Sequence, residues 1–322
     1  MKIPASIRTI YEDQRDLNEK LKLEIDSKIK GLIEPRWHYE SRVKELISFA
    51  IKLETGRVLK PHELEDFFAC TIVVQNASQI NVAYERISEN FVICEKRPKS
   101  DDFTSKASNS FPFDDLRLYC KQKPNPILPP KELSEVIFEI QIKTFLQHAW
   151  SIATHDLVYK SDDANWSQER IAYQIKAMLE HAEVSIQQAS DLANCEALKK
   201  DNREILSIKK SIDIIKKNWS KEDLPRDIRR VAQNILSACQ LIDISLEVLD
   251  ALLDEKKQQR GGTHPLNTSP YSTVVQYIIE SNEAGFLAAI QSTKKRGKIL
   301  IPSELILPTT LDRTRSVNAI FL

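Results

Sequence analysis

The chain has 322 residues, of which 42% are hydrophobic and 29% charged, and its 46 basic and 46 acidic residues leave no net formal charge. This length is enough for two domains, each with a core of its own. The balanced charge argues against a general polyanion binder and leaves only local basic patches open. Since no apolar run approaches the roughly 20 residues of a membrane span, and the first residues lack the apolar core of a signal peptide, we expect no membrane partner.

The cysteine pattern points to a reducing compartment. The five cysteines are odd in number, widely spaced and set among apolar residues, which favours buried thiols over a disulfide framework or a zinc site. We therefore expect a cytoplasmic protein. The residues concerned are Cys70, Cys94, Cys120, Cys195 and Cys239.

Two helices are predicted at the start of the chain. The first covers residues 5–31, where apolar residues recur at helical spacing. The second covers residues 39–54 and ends at Gly56. It would carry Arg42, Lys44 and Lys52, of which Lys44 and Lys52 nearly share one face. Without further context, the pattern favours an ordinary solvated basic face over a binding site.

The next stretch alternates between strand and helix signals. Residues 67–74 form a continuous apolar, β-prone run that predicts a central strand. Asp66 directly precedes this strand, a position at which carboxylates often bind cations. A helix cap or a charge at the end of the strand would also account for an aspartate there. A helix to about residue 90 and strands at 91–95 and 114–120 follow. The pattern predicts an α/β or α+β sheet domain with helices on its back.

Residues 136–142 predict a further strand, whose two faces differ in chemistry. Phe138, Ile140 and Ile142 point to one side, while Glu139, Gln141 and Lys143 share the other. Such a polar row suits the floor of a binding site, and an ordinary half-exposed antiparallel strand is the alternative. A helix opened by Thr144 follows, and it is rich in side chains that form hydrogen bonds: Gln147, His148, Trp150, Thr154, His155, Tyr159 and Lys160.

The rest of the chain is helical by pattern, over residues 167–218 and again from about Pro225 to residue 259. The pair Gly261-Gly262 is the best linker candidate. We therefore predict three regions: a sheet domain with N-terminal helices at 1–162, a long-helix extension at 163–260, and a linker with a small C-terminal segment at 261–322. The helical half offers a surface for a regulatory partner or for a second copy of the chain.

Four stretches, in this order, resemble the motifs of the RelA/SpoT (p)ppGpp synthetase domain, over about residues 36–160. They are SRVK at 41–44 with Lys52, LEDFFACTIVV at 64–74, FDDLRL at 113–118, and EIQIKT at 139–144 followed by QHAW, His155 and Tyr159-Lys160. Each motif alone is weak, but their shared order and spacing are specific. The resemblance implies an α+β fold, a mixed sheet with flanking helices as in nucleotidyltransferase-like synthetases, followed here by an all-α extension.

The same resemblance implies an ATP-dependent pyrophosphokinase of the stringent response, which moves pyrophosphate from Mg-ATP to the ribose 3′-hydroxyl of GDP or GTP. Glu139 and Asp66 would be catalytic and would bind Mg²⁺. Arg42, Lys44, Lys52 and Lys143 would bind the ATP phosphates. The acceptor would be bound by Phe113, Arg117, Gln141, His155 and Lys160.

Departures from the family pattern concentrate on the acceptor side. Thr71 and Lys143 stand where the family has arginines, so two bidentate phosphate contacts are missing. Asp114-Asp115 replaces Arg-Ser, and two acids would repel a diphosphate-bearing acceptor. This motivates the hypothesis that the acceptor is not a guanine nucleotide. One alternative is a toxin-antitoxin type member that modifies the tRNA 3′-CCA end or adenine nucleotides. Another is a degenerate nucleotide-binding sensor or interaction module.

Overall fold

The computed structural model of the protein describes residues 2–99, 115–124, 132–154, 165–265, 267–293 and 297–322. The chain divides into two compact units, Met1–Leu198 and Lys199–Leu322. In the part of the chain that is described, no helix is long and apolar enough to cross a lipid bilayer.

The first unit is built on a five-stranded mixed sheet. Its strands are β1 (His38–Val43), β2 (Phe68–Val74), β3 (Phe91–Arg97), β4 (Leu116–Gln122) and β5 (Phe138–Thr144), in the order β1-β2-β5-β4-β3. Only β2 and β5 are parallel, while the other neighbouring pairs are antiparallel. The sheet and the helices around it confirm the predicted α+β class.

Seven helices accompany this sheet in the described residues of the first unit. They are α1 (Ala5–Lys30), α2 (Leu46–Glu54), α3 (Ile80–Asn90), α4 (Glu132–Glu135), α5 (Phe145–Ala153), α6 (Trp166–Gln187) and α7 (Ala189–Asn194). Helices α1 and α3 cover one face of the sheet. Leu21, Ile25 and Ile29 of α1, with Ala83 and Ile87 of α3, pack against its apolar side chains. The opposite face carries the polar side chains of β5 together with Ala69 and Val73 of β2.

The predicted helix at 39–54 is wrong over its first part. Residues 38–43 form the edge strand β1, which pairs antiparallel with β2 so that Glu40 lies beside Thr71 and Arg42 beside Ala69. The reason is tertiary, because an edge strand gains its backbone hydrogen bonds from a distant partner, while the local spacing of apolar residues also suits a helix. Only Leu46–Glu54 is helical, as α2.

Helix α5 begins as predicted at Thr144, whose hydroxyl accepts a hydrogen bond from the backbone N–H of Gln147. The Gln147 side chain accepts one from the Thr144 backbone N–H in return, which completes a capping box. Helix α6 packs on α5, and the indole N–H of Trp150 donates a 2.9 Å hydrogen bond to the carbonyl of Ala172. Residues 166–187 therefore belong to the first unit, although the predicted boundary lies at residue 162.

The second unit is predominantly helical. Its helices are α8 (Arg203–Asn218), α9 (Ile228–Ile242), α10 (Leu246–Gln259), α11 (Pro270–Ser281) and α12 (Glu283–Gln291). Two short parallel strands, β6 (Ile299–Ile301) and β7 (Ala319–Phe321), complete it. They share one continuous apolar core with these helices.

The long helices predicted at 167–218 and up to 259 are each interrupted. The first separates into α6, α7 and α8. The second breaks at Asp243, which adopts a left-handed conformation with φ of 61° and closes α9 as a C-cap. Gly261 and Gly262 also have positive φ and end α10, and His264 just beyond them is buried in the second unit. Helical periodicity identified these segments, but it does not show where a helix turns back on itself.

The cysteines are only partly placed as expected. All five are free, and Cys70, Cys120 and Cys239 are buried, whereas Cys94 and Cys195 are exposed. The prediction of uniformly buried thiols is therefore wrong for these two. Cys94 lies on β3, where successive side chains point to opposite sides of the strand. Cys195 follows α7 in an exposed segment.

Candidate active site

The polar face of the sheet brings together the residues that sequence reasoning selected on separate strands. Side chains of hydrogen-bonded neighbours in a sheet point to the same side, so the register defines rows across the strands. One row contains Arg42, Ala69, Glu139, Tyr119 and Glu95, and the next contains Glu40, Thr71, Gln141, Arg117 and Arg97. The predicted polar floor of β5 is thus the centre of this face.

Asp66 forms ion pairs with Lys44 and Lys52, two of the residues predicted to bind the ATP phosphates. Its Oδ2 atom lies 2.5 Å from Nζ of Lys52 and 3.2 Å from Nζ of Lys44. Lys44 follows β1 directly and Lys52 lies on α2. The two cations reach Asp66 from different elements rather than from one helix face.

The backbone around Asp66 explains why these groups converge. Phe49 of α2 packs with Phe67 at a ring-centroid distance of 5.5 Å, and Leu64 belongs to the same buried cluster. The backbone N–H of Lys44 donates a 2.7 Å hydrogen bond to the Phe67 carbonyl. Buried aromatic contacts thereby hold α2 against the start of β2 and place Lys52 beside the carboxylate.

The electrostatics of Asp66 favour its ionised form. Burial raises the pKa of this carboxyl, but the hydrogen bond from Lys52 and the charge of Lys44 outweigh burial and bring the pKa below its ordinary value. Its Oδ1 atom is fully buried and has no hydrogen-bond partner among the described residues. An unpartnered carboxylate oxygen is a hard donor of the kind that magnesium prefers, so Asp66 fits the predicted metal role.

Glu139 is only 3% exposed and stands in a row of polar partners. The side-chain amide of Gln141 donates a hydrogen bond to its Oε1 atom. On the adjacent strand, burial and the negative charge of Glu139 raise the pKa of Tyr119. The Tyr119 hydroxyl in turn accepts a 3.1 Å hydrogen bond from Arg97, whose guanidinium also lies 4.5 Å from the centre of the Tyr119 ring.

The stretch that resembles the family's acceptor-binding motif, residues 113–118, contains an acid and a base that pair with each other. Oδ2 of Asp115 lies 3.2 Å from Nε of Arg117 and 3.8 Å from Nζ of Lys143. Burial lowers the pKa of Lys143, while the charge of Asp115 opposes this shift. Two of the predicted ligands for anionic groups therefore face an acid of the chain itself.

Several predicted site residues lie outside this description or apart from the central contacts. Phe113, His155 and Lys160 are outside the described residues, as are Asp114 and Tyr159. Arg42 is described, and it lies exposed on β1 beside Ala69, with β2 between it and the strand of Glu139. The site assignments made from sequence remain predictions at these positions.

Two residues near Glu139 were not selected from sequence as catalytic or binding residues. Tyr119 and Arg97 lie on β4 and β3, and their register places them in successive polar rows. The signal that could have found Tyr119 is its period-2 spacing from Arg117. For Arg97 there was no such signal, because nothing local indicates that β3 pairs with β4.

The match to a protein family agrees with this geometry. The family model described as "Region found in RelA / SpoT proteins" matches residues 41–164. This part of the chain is a RelA/SpoT-like synthetase domain, which confirms the resemblance seen in the motifs. The expected class of enzyme, an ATP-dependent pyrophosphokinase, agrees with the same match.

Solved structures of small alarmone synthetases align with part of the chain. Small alarmone synthetase 1 from Bacillus subtilis aligns over 57% of this chain and 97% of its own, with 17% identity and a TM-score of 0.45. The structure of that enzyme bound to its product pppGpp aligns over 55% and 95%, with 18% identity and a TM-score of 0.44. Small alarmone synthetase 2 from the same organism aligns over 57% and 95%, with 20% identity and a TM-score of 0.41. No curated protein sequence matches the chain significantly.

Proposed function

We propose that the first unit transfers pyrophosphate from ATP to a ribose 3′-hydroxyl, with a guanine nucleotide as the default acceptor and (p)ppGpp as the product. The family match at residues 41–164 carries this proposal. The convergence of Lys44 and Lys52 on Asp66, just before β2, supports it. So does the buried Glu139 on β5, the parallel neighbour of β2.

The residues proposed to bind ATP, the pyrophosphate donor, are mainly cationic. Lys44, Lys52 and Arg42 bind and orient the ATP phosphates, because ammonium and guanidinium groups neutralise the charge that must be brought close to the attacking hydroxyl. Asp66 and Glu139 hold Mg²⁺, which supplies further charge neutralisation at the phosphates when it is bound. In the absence of ATP, Asp66 keeps the two lysines in place through its ion pairs.

Glu139 is the proposed general base. It accepts the proton of the attacking 3′-hydroxyl while the bond between the β-phosphorus of ATP and the oxygen of AMP breaks. The hydrogen bond from Gln141 orients one carboxylate oxygen. The Tyr119 hydroxyl on the neighbouring strand is a further hydrogen-bond partner of this carboxylate.

A second acceptor class is supported by one specific observation. The Asp115 carboxylate pairs with both Arg117 and Lys143, so it offsets cations that would otherwise attract the diphosphate of GDP or GTP. The binding of an acceptor without a terminal diphosphate, such as the 3′-CCA end of tRNA, depends less on these two cations. Toxin-like modification of tRNA is therefore the second candidate function.

The test uses the full chain with Mg²⁺ and ATP labelled on the γ-phosphate, and offers GDP, GTP, adenine nucleotides and bulk tRNA in parallel. Glu139→Gln is the blank, because it keeps the shape of the side chain and removes the base. Label on a guanine nucleotide establishes alarmone synthesis, and label on tRNA or an adenine nucleotide establishes the toxin-like function. ATP binding without any transfer would contradict both enzymatic functions and favour a nucleotide sensor.

A further inference from the structure

A second set of metal-ligating side chains lies at the β1 edge of the polar face. His38 and Glu40 of β1 and His148 of α5 place one donor atom each within 4.8 Å of the other two. We propose that these three residues form a binding site for a divalent transition-metal ion of the zinc class, separate from the pair Asp66 and Glu139.

Regular backbone elements hold all three side chains. His38 and Glu40 are two positions apart on β1 and therefore share one face, and their partners on β2 are Val73 and Thr71. His148 lies in the first turn of α5, directly after the capping box at Thr144. Ligands carried by strands and capped helices are more precisely placed than ligands on loops.

The spacing leaves room for an ion between the side chains. Nδ1 of His148 and Oε1 of Glu40 are 4.0 Å apart, which is beyond hydrogen-bond distance. Two donors on a tetrahedral zinc ion, each about 2.0–2.1 Å from the metal, are roughly 3.3 Å apart. Since His38 and Glu40 are exposed, small rotations of their side chains are enough to close this difference.

The two imidazoles are available as ligands. Among the residues that the structure describes, neither ring forms a hydrogen bond, although His148 is largely buried. Burial lowers the pKa of His148, as do the charges of Lys143 and His38, while Glu40 opposes them. The neutral imidazole is the form that binds a metal, and burial disfavours the charged form.

The donor set selects the kind of ion. Two imidazole nitrogens and one carboxylate oxygen suit Zn²⁺ and its neighbours, whereas Mg²⁺ prefers oxygen ligands alone. Three protein ligands leave the fourth position of a tetrahedral ion open. A water molecule or an anionic oxygen of a bound molecule fills that position.

The test measures Zn²⁺ binding by the chelator-treated full chain, by equilibrium dialysis and by calorimetry. The exposed thiols Cys94 and Cys195 are first replaced by serine, because they are competing ligands. We expect one ion per chain. Loss of a direct ligand costs at least about 100-fold in affinity, since loss of an outer partner alone already costs about 10- to 100-fold.

His38→Ala is the decisive variant, because His38 is exposed and its loss leaves the core intact, and His148→Ala and Glu40→Gln extend the test. His181→Ala removes an exposed histidine of α6 and is the matched control. The double variant Asp66→Asn/Glu139→Gln should bind Zn²⁺ as well as the parent does. Unchanged affinity in His38→Ala, an equal loss in the control, or no binding at micromolar Zn²⁺ would overturn the proposal. Substitution by Co²⁺ should give a visible spectrum without thiolate charge-transfer bands.

Discussion

The hydroxyl of Thr144 donates a 2.9 Å hydrogen bond to Oε2 of Glu183, although 39 residues separate them. The other oxygen of Glu183 accepts a 2.7 Å hydrogen bond from the backbone N–H of Ala77. One carboxylate of α6 thus joins the end of β5 to the turn that follows β2. These are the two parallel strands at the centre of the polar face.

Glu183→Ala should destabilise the first unit by about 1–3 kcal/mol, because it leaves the buried Thr144 hydroxyl and Ala77 N–H without their acceptor. Chemical denaturation followed by circular dichroism measures this loss. Glu180→Gln, an exposed substitution on the same helix, is the control and should change the free energy of unfolding by less than about 0.5 kcal/mol. Equal stabilities of the two variants would contradict the structural role of Glu183.

Asp66→Asn should reduce both stability and activity. Its removal leaves Lys44 and Lys52 facing each other, and loss of hydrogen bonds to charged groups costs about 1.5–3 kcal/mol. Because the pKa of Asp66 is lowered by folding, its contribution is complete above the unfolded pKa of about 3.9 and disappears as the pH falls through the lower folded value. The difference in unfolding free energy between the parent and the variant should therefore shrink below about pH 4.

The matched control for Asp66 is Asp13→Asn, an exposed acid on α1. Its unfolding free energy should follow that of the parent at every pH. A stability gap between parent and Asp66→Asn that persists unchanged at pH 2 would show that the ion pairs are not its source.

Asp115→Asn should strengthen the binding of anionic acceptors. The substitution releases Arg117 and Lys143 from their shared partner, and one compensating charge nearby is worth on the order of 1 kcal/mol, or about five-fold in affinity. Titration of GDP and ADP into the Mg²⁺-loaded protein measures the change, and the gain should decrease with added salt. Glu135→Gln, which removes an exposed acid elsewhere in the unit, should leave both affinities unaltered.

The second unit should lose stability in mild acid through His264. This buried imidazole lies 3.1 Å from the Tyr277 hydroxyl and 3.2 Å from Oδ1 of Asn218, and Trp219 stacks on it at a centroid distance of 4.7 Å. Burial, followed by the charges of Lys257 and Arg260, lowers its pKa. The folded state therefore disfavours the proton that the unfolded chain accepts near pH 6.5.

Hydrogen exchange of the α11 amides locates the effect of His264. Their protection should fall as the pH decreases from about 7.5 to 5.5, after correction for the intrinsic exchange rate, because stability is complete above the unfolded pKa and is lost toward the folded one. His264→Gln should remove most of this pH dependence, whereas His62→Gln, at an exposed position, should preserve it. An identical pH profile in His264→Gln would assign the effect to another group.

Local sequence patterns were sufficient for much of the fold. The apolar run before Val74, the alternation from Phe138 to Lys143 and the cap at Thr144 each have a local physical cause, and each was found where expected. The edge strand β1 was missed because its hydrogen-bond partners lie about 30 residues away. The break at Asp243 was missed because a left-handed non-glycine residue has no strong signature in a helical pattern.

The sequence by itself determined the order of the motifs, the positions of the carboxylates Asp66 and Glu139 beside and within predicted strands, and the two faces of β5, because these follow from residue type and spacing. Only the tertiary structure decided which groups meet. The convergence of Lys44 and Lys52 on Asp66 depends on the packing of α2 against the start of β2. The pairing of Asp115 with Arg117 and Lys143 depends on the register of β4 and β5, and the shared face of His38 and Glu40 depends on the pairing of β1 with β2. Register is set by backbone pairing between segments far apart in the chain, and no local pattern encodes it.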